Sequence, residues 1–228
     1  MLLLLAGVSV SAVVNGQRIE DEDLARRISA VAFDPTTFFR NEYGLPSLIR
    51  IAHVDHFRRP IYSISIEDGC LEGEAWSDAC LSRLTARMVR APAPPSMRNE
   101  RDRSIHLARQ LVQRRATTRA AIRSQLASLR LEWMEADLTS CPGIRETLAR
   151  AANLNWVPEE ITGPPLPNGD VRIYLDTDSV QVAFDTGFIT STFEGVPTQG
   201  SPGSWATELA AALEPCWRPA RTAPPWNR

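Results

Sequence analysis

Three kinds of hydrophobic pattern follow one another along this chain: an uncharged apolar run at the start, stretches of period two, and longer stretches of period three to four. The opening run covers residues 2–14 and is followed by small residues at two candidate cleavage sites, Val10-Ser11-Ala12 and Val14-Asn15-Gly16. It is too short to span a bilayer, which takes about 20 residues, and it reads as a signal peptide over residues 1–16. No basic residue precedes Leu2, where a signal peptide usually carries one. The first helix of the mature chain is predicted over 17–33, with acids at its start and Leu24, Ile28 and Val31 at helical spacing, and Asp34-Pro35 ends it.

Period two appears next. Residues 47–54 and 60–67 alternate as strands, and Asp55-His56-Phe57-Arg58-Arg59 joins them, which predicts a β-hairpin over about 48–67. Leu81, Leu84 and Met88 share a stripe and predict a helix over 76–90, closed by Ala91-Pro92-Ala93-Pro94-Pro95. Residues 99–137 lack Gly and Pro, and a three-four repeat running from Ile105 to Ala136 predicts one long helix, its seam interrupted by Arg115 and Arg119. Cys141-Pro142 opens a further helix running to about residue 153. A Pro-rich connector occupies 158–169. Residues 171–176, 179–185 and 188–194 then read as an antiparallel meander with turns at Thr177-Asp178 and Thr186-Gly187. A last helix capped by Ser204 covers 204–213, and residues 218–228 form a Pro-rich tail expected to be disordered.

These elements predict an α+β fold: the meander of about 171–194 plus the hairpin of 48–67, packed with several helices including the long one at 99–137. The 228 residues contain 43% hydrophobic and 23% charged side chains, ordinary values for a globular chain. Residues 17–217 are read as a single α+β domain, and the 158–169 connector is the one place where it could divide. Export would place Cys70, Cys80, Cys141 and Cys216 in an oxidising compartment, periplasmic or extracellular, where four cysteines read as two disulfides. The expected pairing is Cys70 with Cys80, across one turn-to-helix segment, and Cys141 with Cys216, joining the start of one helix to the end of another.

All 25 basic residues are Arg. With abundant Ala and Pro, this points to a GC-rich bacterial genome. The overall charge of −2 conceals a basic block at 98–130, whose nine Arg against Glu100 and Asp102 give +7. Arg109, Arg114, Arg115, Arg119 and Arg123 are its candidate electrostatic face. Arg115 and Arg119, on the apolar seam, are expected to be paired with acids of the C-terminal region. The block contains no aromatic residue for base stacking, and export argues against nucleic acid as a partner.

Candidate chemistry is sparse. Asp185-Thr186-Gly187, after Val182-Ala183-Phe184, resembles the tripeptide that an apolar strand delivers in aspartic proteases, and that resemblance would imply a catalytic Asp185 in a homodimer. It covers three residues, Phe188 departs from it, and no second such tripeptide occurs. Asp and Gly are also what a tight hairpin turn demands, and this is the reading adopted. His53, Asp55 and His56 place two imidazoles and a carboxylate within four residues, but no metal-ligand spacing is present, so neither a metal nor a cofactor is expected. Phosphate-binding loops, nucleophile elbows and Cys-x-x-Cys pairs are missing from the sequence. The expectation is therefore a non-enzymatic exported protein acting on an unidentified macromolecular partner in the envelope or outside the cell. The alternative is a hydrolase whose acid-based or metal-assisted site draws on Asp178, Asp185, His53 and His56.

Overall fold

The computed structural model describes residues 33, 47–56, 59–68, 83–116, 118–154, 177–185, 189–224 and 226. Among these, seven strands form one sheet in which neighbouring strands are antiparallel. They are β1 (Ile49–Val54), β2 (Pro60–Asp68), β3 (Leu84–Arg90), β4 (Glu132–Asp137), β5 (Ser179–Asp185), β6 (Thr190–Gly195) and β7 (Arg218–Pro219), in the spatial order β6-β5-β1-β2-β3-β4-β7. The hairpin β1–β2 and the pair β5–β6 thus belong to the same sheet, because β1 pairs with β5 from Ile49↔Phe184 to Val54↔Ser179.

Period two explains the sheet. Ile49 and Ile51 stand opposite Ile66 and Ile64, Ala86 and Met88 continue that row on β3, and Val182 faces Ile51 from β5, so one face is apolar across four strands. Helices α3 (Ile144–Ala149) and α4 (Pro202–Leu213) cover this first face, where Ile144, Trp205, Leu209 and Leu213 join the core. Ser201, rather than Ser204, caps α4: its hydroxyl accepts from the Ser204 amide at 3.1 Å, and Pro202 occupies the first turn, where no amide partner is needed. Trp205 Nε1 donates to the Thr147 carbonyl at 2.7 Å and fixes α4 on α3. The disulfide Cys141–Cys216 joins the turn before α3 to the end of the α4 segment, with Cα atoms 5.8 Å apart.

A second core lies on the other face. Val89, Ala91 and Leu131, with Trp133 half-buried beside them, pack against Leu107 and Leu111 of α1 (Arg101–Gln113) and Ile122 and Leu126 of α2 (Arg119–Leu126).

The long helix expected over 99–137 is instead a helical hairpin followed by a strand. Helix α1 stops at Arg114; Arg115 takes φ 53°, the Ala116 amide donates back to the Leu111 carbonyl, and Thr118 caps α2. Arg130, at φ 52°, ends the following 3-10 turn, and residues 132–137 pair with β3. Trp133 and Ala136 fit a helical repeat, but Trp133, Met134, Glu135 and Ala136 also alternate, and pairing with β3 decides between the two. The helix expected over 76–90 is overturned in its described part for the same reason. Leu84 and Met88 are compatible with both periods, and the places opposite Asp68 and Ile64 on β2 fix them as strand residues.

The tail expected to be disordered from 218 is ordered up to Thr222 and beyond. Pro219 and Arg218 pair with Met134 and Glu135, Trp133 Nε1 donates to Thr222 Oγ1 at 3.0 Å, and buried Trp226 meets Trp133 edge-on at 5.9 Å. The tail's aromatic end supplies apolar surface that its prolines obscured. The signal segment 1–16, the helix 17–33 apart from buried Phe33, Cys70 and Cys80, the connector 158–169 and the strand 171–176 lie outside the described residues.

Candidate functional site

The sequence-derived candidates fall at three places. The first is the end of the apolar sheet face nearest the start of α1. The β1–β2 register sets His53 opposite Tyr62, and the rings meet edge to face at 5.1 Å. Asp178, just before β5, reaches His53 Nε2 at 3.4 Å and Arg101 Nη2 at 3.0 Å. Burial alone would raise the Asp178 carboxyl, yet His53 and Arg101 outweigh it and hold it below the usual carboxylate range. Burial, followed by the carboxylates of Glu100, Asp178 and Glu214, pushes the Tyr62 hydroxyl far above its ordinary value.

The same end carries an ion-pair ladder that sequence reasoning missed. Arg90 Nε meets Glu132 Oε2 at 2.8 Å and Arg90 Nη1 meets Glu214 Oε1 at 3.1 Å. Arg103, 7% exposed, reaches Glu132 Oε1 at 2.7 Å, Glu100 Oε2 at 2.8 Å and the Ala91 carbonyl at 2.9 Å. Burial opposes ionisation of Glu132, but Arg103 and Arg90 together pull its carboxyl below the usual range. The available signal was the cross-strand pairing of Arg90 with Glu132, which is visible only once residues 84–90 and 132–137 are read as strands.

The second place is the opposite face of the sheet. Asp185 accepts from Thr190 Oγ1 at 2.8 Å across the β5–β6 hairpin and lies 3.9 Å from Arg50 Nη2. Asp178 and Asp185 stand at opposite ends of β5 and do not converge. His56 lies in the β1–β2 turn beside buried Asp55, whose carboxylate accepts from Arg59 Nε at 2.7 Å. Among the described residues no hydroxyl or thiol hydrogen-bonds His53, and no cluster of three His, Cys, Asp or Glu could hold a metal ion.

The third place is the α1–α2 hairpin. Arg109, Arg114, Arg115 and Arg123 are exposed, and none forms an ion pair with a described residue. The expected burial of Arg115 in a seam is overturned, because it occupies the left-handed turn between the helices. The side chain of Arg119 lies outside the described ones. Arg114 Nη1 donates to Gln125 Oε1 at 3.0 Å and to Ser128 Oγ, which ties the end of α1 to the end of α2. Residues 103–131 contain no acid. Val112 is 49% exposed in this setting, one helical turn from Arg109.

Comparison with protein families, curated proteins and solved structures found no match.

Proposed function

We propose that this is an exported, non-enzymatic binding protein of the bacterial envelope, which docks on an anionic phospholipid surface through the α1–α2 hairpin. The observation that carries the reading is the acid-free run of residues 103–131, in which Arg109, Arg114, Arg115, Arg123 and Val112 are all exposed. Arginines supply attraction to lipid phosphates, and Val112 supplies an apolar tip for the headgroup boundary. Export is supported by the apolar leader and by the Cys141–Cys216 bridge, a bond that persists in oxidising compartments. No helix among the described residues is long and apolar enough to cross a membrane.

The test is co-sedimentation of the full chain with vesicles of phosphatidylglycerol or of phosphatidylcholine alone. Binding to the anionic vesicles only, weakening with salt, is expected. Replacing Arg109, Arg114, Arg115 and Arg123 together by Gln should weaken it about a thousand-fold, at roughly 1 kcal/mol for each charge near the surface. Equal binding to both vesicle types, or binding that survives the quadruple variant, would refute the reading.

A further inference from the structure

Strand β7 pairs only with Met134 and Glu135, and past its end the β4 residues Ala136 and Asp137 line a cavity of about 570 Å³. This cavity reaches the disulfide from one side. Cys216 stands on its wall and is half-buried, whereas Cys141 is 6% exposed and does not line it. Exchange between a thiolate and a disulfide depends on which sulfur the thiolate can reach, and here that sulfur belongs to Cys216.

The same wall carries an excess of positive charge. Arg83, Arg218 and Arg221 line the cavity together with Glu135 and Asp137. Arg221 Nε stands 3.6 Å from Glu135 and Arg83 Nε 3.6 Å from Asp137, too far for a direct hydrogen bond. Arg218 Nη1 donates to the Trp217 carbonyl at 2.8 Å and to the Pro215 carbonyl at 3.3 Å, which folds the guanidinium back over the backbone on either side of Cys216. Neutral carbonyls leave that charge whole, so a cation is held beside the accessible sulfur. We propose that Cys216 is a thiol-exchange site for anionic low-molecular-weight thiols, drawn into the cavity by Arg218 and Arg221. None of the docking arginines of α1–α2 takes part. The incoming thiolate bonds to Cys216 Sγ and the bond to Cys141 breaks, its electron pair leaving on Cys141 Sγ, which takes a proton from water. The external thiol is oxidised into the mixed disulfide and Cys141 is reduced. The Ala212 carbonyl, 3.7 Å from Cys141 Sγ, then accepts from the new thiol. The exchange unpins the turn before α3 from the end of the α4 segment.

The test incubates the full chain at low salt with an excess of 2-mercaptoethanesulfonate, which is anionic, or of cysteamine, which is cationic. Samples are quenched in acid and peptide-mapped to follow loss of the Cys141–Cys216 link and to find which cysteine carries the thiol. Each rate is divided by that of the same thiol with a neutral small disulfide, which removes differences in intrinsic reactivity. The first adduct is expected on Cys216, with the anionic thiol favoured about tenfold, the low end of electrostatic steering. That preference should shrink towards unity in about 1 M sodium chloride, where charges are screened beyond a few ångströms. It should also fall in the double variant Arg218→Gln, Arg221→Gln, whose two side chains lie at an exposed edge. A first adduct on Cys141, equal normalised rates for the two thiols, a preference that survives both salt and the double variant, or a rate independent of thiol concentration, which marks attack only after unfolding, would each overturn the proposal.

Discussion

Two sets of charged side chains occupy opposite faces of one sheet, and they are built differently. Around Tyr62, each of His53, Arg101, Arg90 and Arg103 has a carboxylate oxygen within 3.4 Å, and Glu132 is gripped by two arginines at once. On the other face Arg87 meets Glu67 at 2.5 Å, but Arg50 has its carboxylate only at 3.9 Å, and both faces keep a buried polar atom without a hydrogen-bond partner, His53 Nδ1 on the first and Ser65 Oγ on the second. A low dielectric strengthens close pairs, so the first set locks the start of α1 onto the sheet, while the looser Arg50–Asp185 contact holds β1 to β5 less firmly. Density of charge does not decide how firmly a set holds. Closeness of pairing does.

The covering of the apolar face supplies the largest expected effect. Cys141–Cys216 closes a stretch with a sequence separation of 75, and it pins α3 to the end of α4. Replacing both cysteines by Ala should lower stability by about 4 kcal/mol in the chain-entropy account, measured by urea unfolding. An unchanged midpoint would mean that packing of Trp205, Leu209 and Leu213 already holds the face closed. Next comes Arg103→Ala, which leaves Glu132 with one arginine in place of two and frees the Ala91 carbonyl. A loss of about 3 kcal/mol is expected, as for other buried pairs with one member removed. If the loss were no larger than that of Arg50→Ala, whose carboxylate lies at 3.9 Å, the contrast between the two sets would fail.

How much of this could be read from the sequence depends on what each element's pattern left undecided. The hairpin strands β1 and β2 and the strands β5 and β6 were legible because their alternation is unambiguous and turn residues bound them. The segment 84–90 was not, since Leu84 and Met88 satisfy period two and period 3.6 equally. Misreading it concealed the Arg90–Glu132 pair, the Arg87–Glu67 pair and the Ser65–Arg87 adjacency together, because all three exist only across strands. The basic block was legible as charge, but its exposure was not. A single left-handed residue, Arg115, turns the chain between α1 and α2, and no Gly or Asn marks it. The His53–Asp178 contact joins residues 125 positions apart and follows from the β1–β5 pairing, which no local pattern announces.

The two faces should also respond to pH in opposite senses. Asp178 and Glu132 titrate below their ordinary values in the folded protein. Their contribution to stability is therefore present above the ordinary carboxylate range and is lost as pH falls through the depressed folded values. Glu67 titrates above its ordinary 4.5, so its effect runs the other way: stability is greatest below that value and declines as pH rises through the raised one. Urea midpoints followed from about pH 3 to pH 7 should show a shallower acid loss in Asp178→Asn and a shallower decline above 4.5 in Glu67→Gln. Parallel curves for parent and both variants would contradict these assignments.

The mildest test concerns an arginine that belongs to neither face. Arg115 sits at φ 53°, where its Cβ crowds the backbone, and its amide donates to the Val112 carbonyl at 2.9 Å while the next amide closes on Leu111 at 3.0 Å. Gly relieves a left-handed strain of about 1 kcal/mol, and the greater freedom it gives the unfolded chain takes back a similar amount. Arg115→Gly should therefore keep its stability within about 1 kcal/mol of the parent, whereas an arginine paired inside a helical seam would lose about 3. The same variant removes one of four exposed charges on the docking hairpin, so binding to phosphatidylglycerol vesicles should fall by roughly fivefold. Retained stability with reduced binding places Arg115 on a working surface. Retained stability with undiminished binding would move the docking contact away from the turn and onto Arg109, Val112 and Arg123.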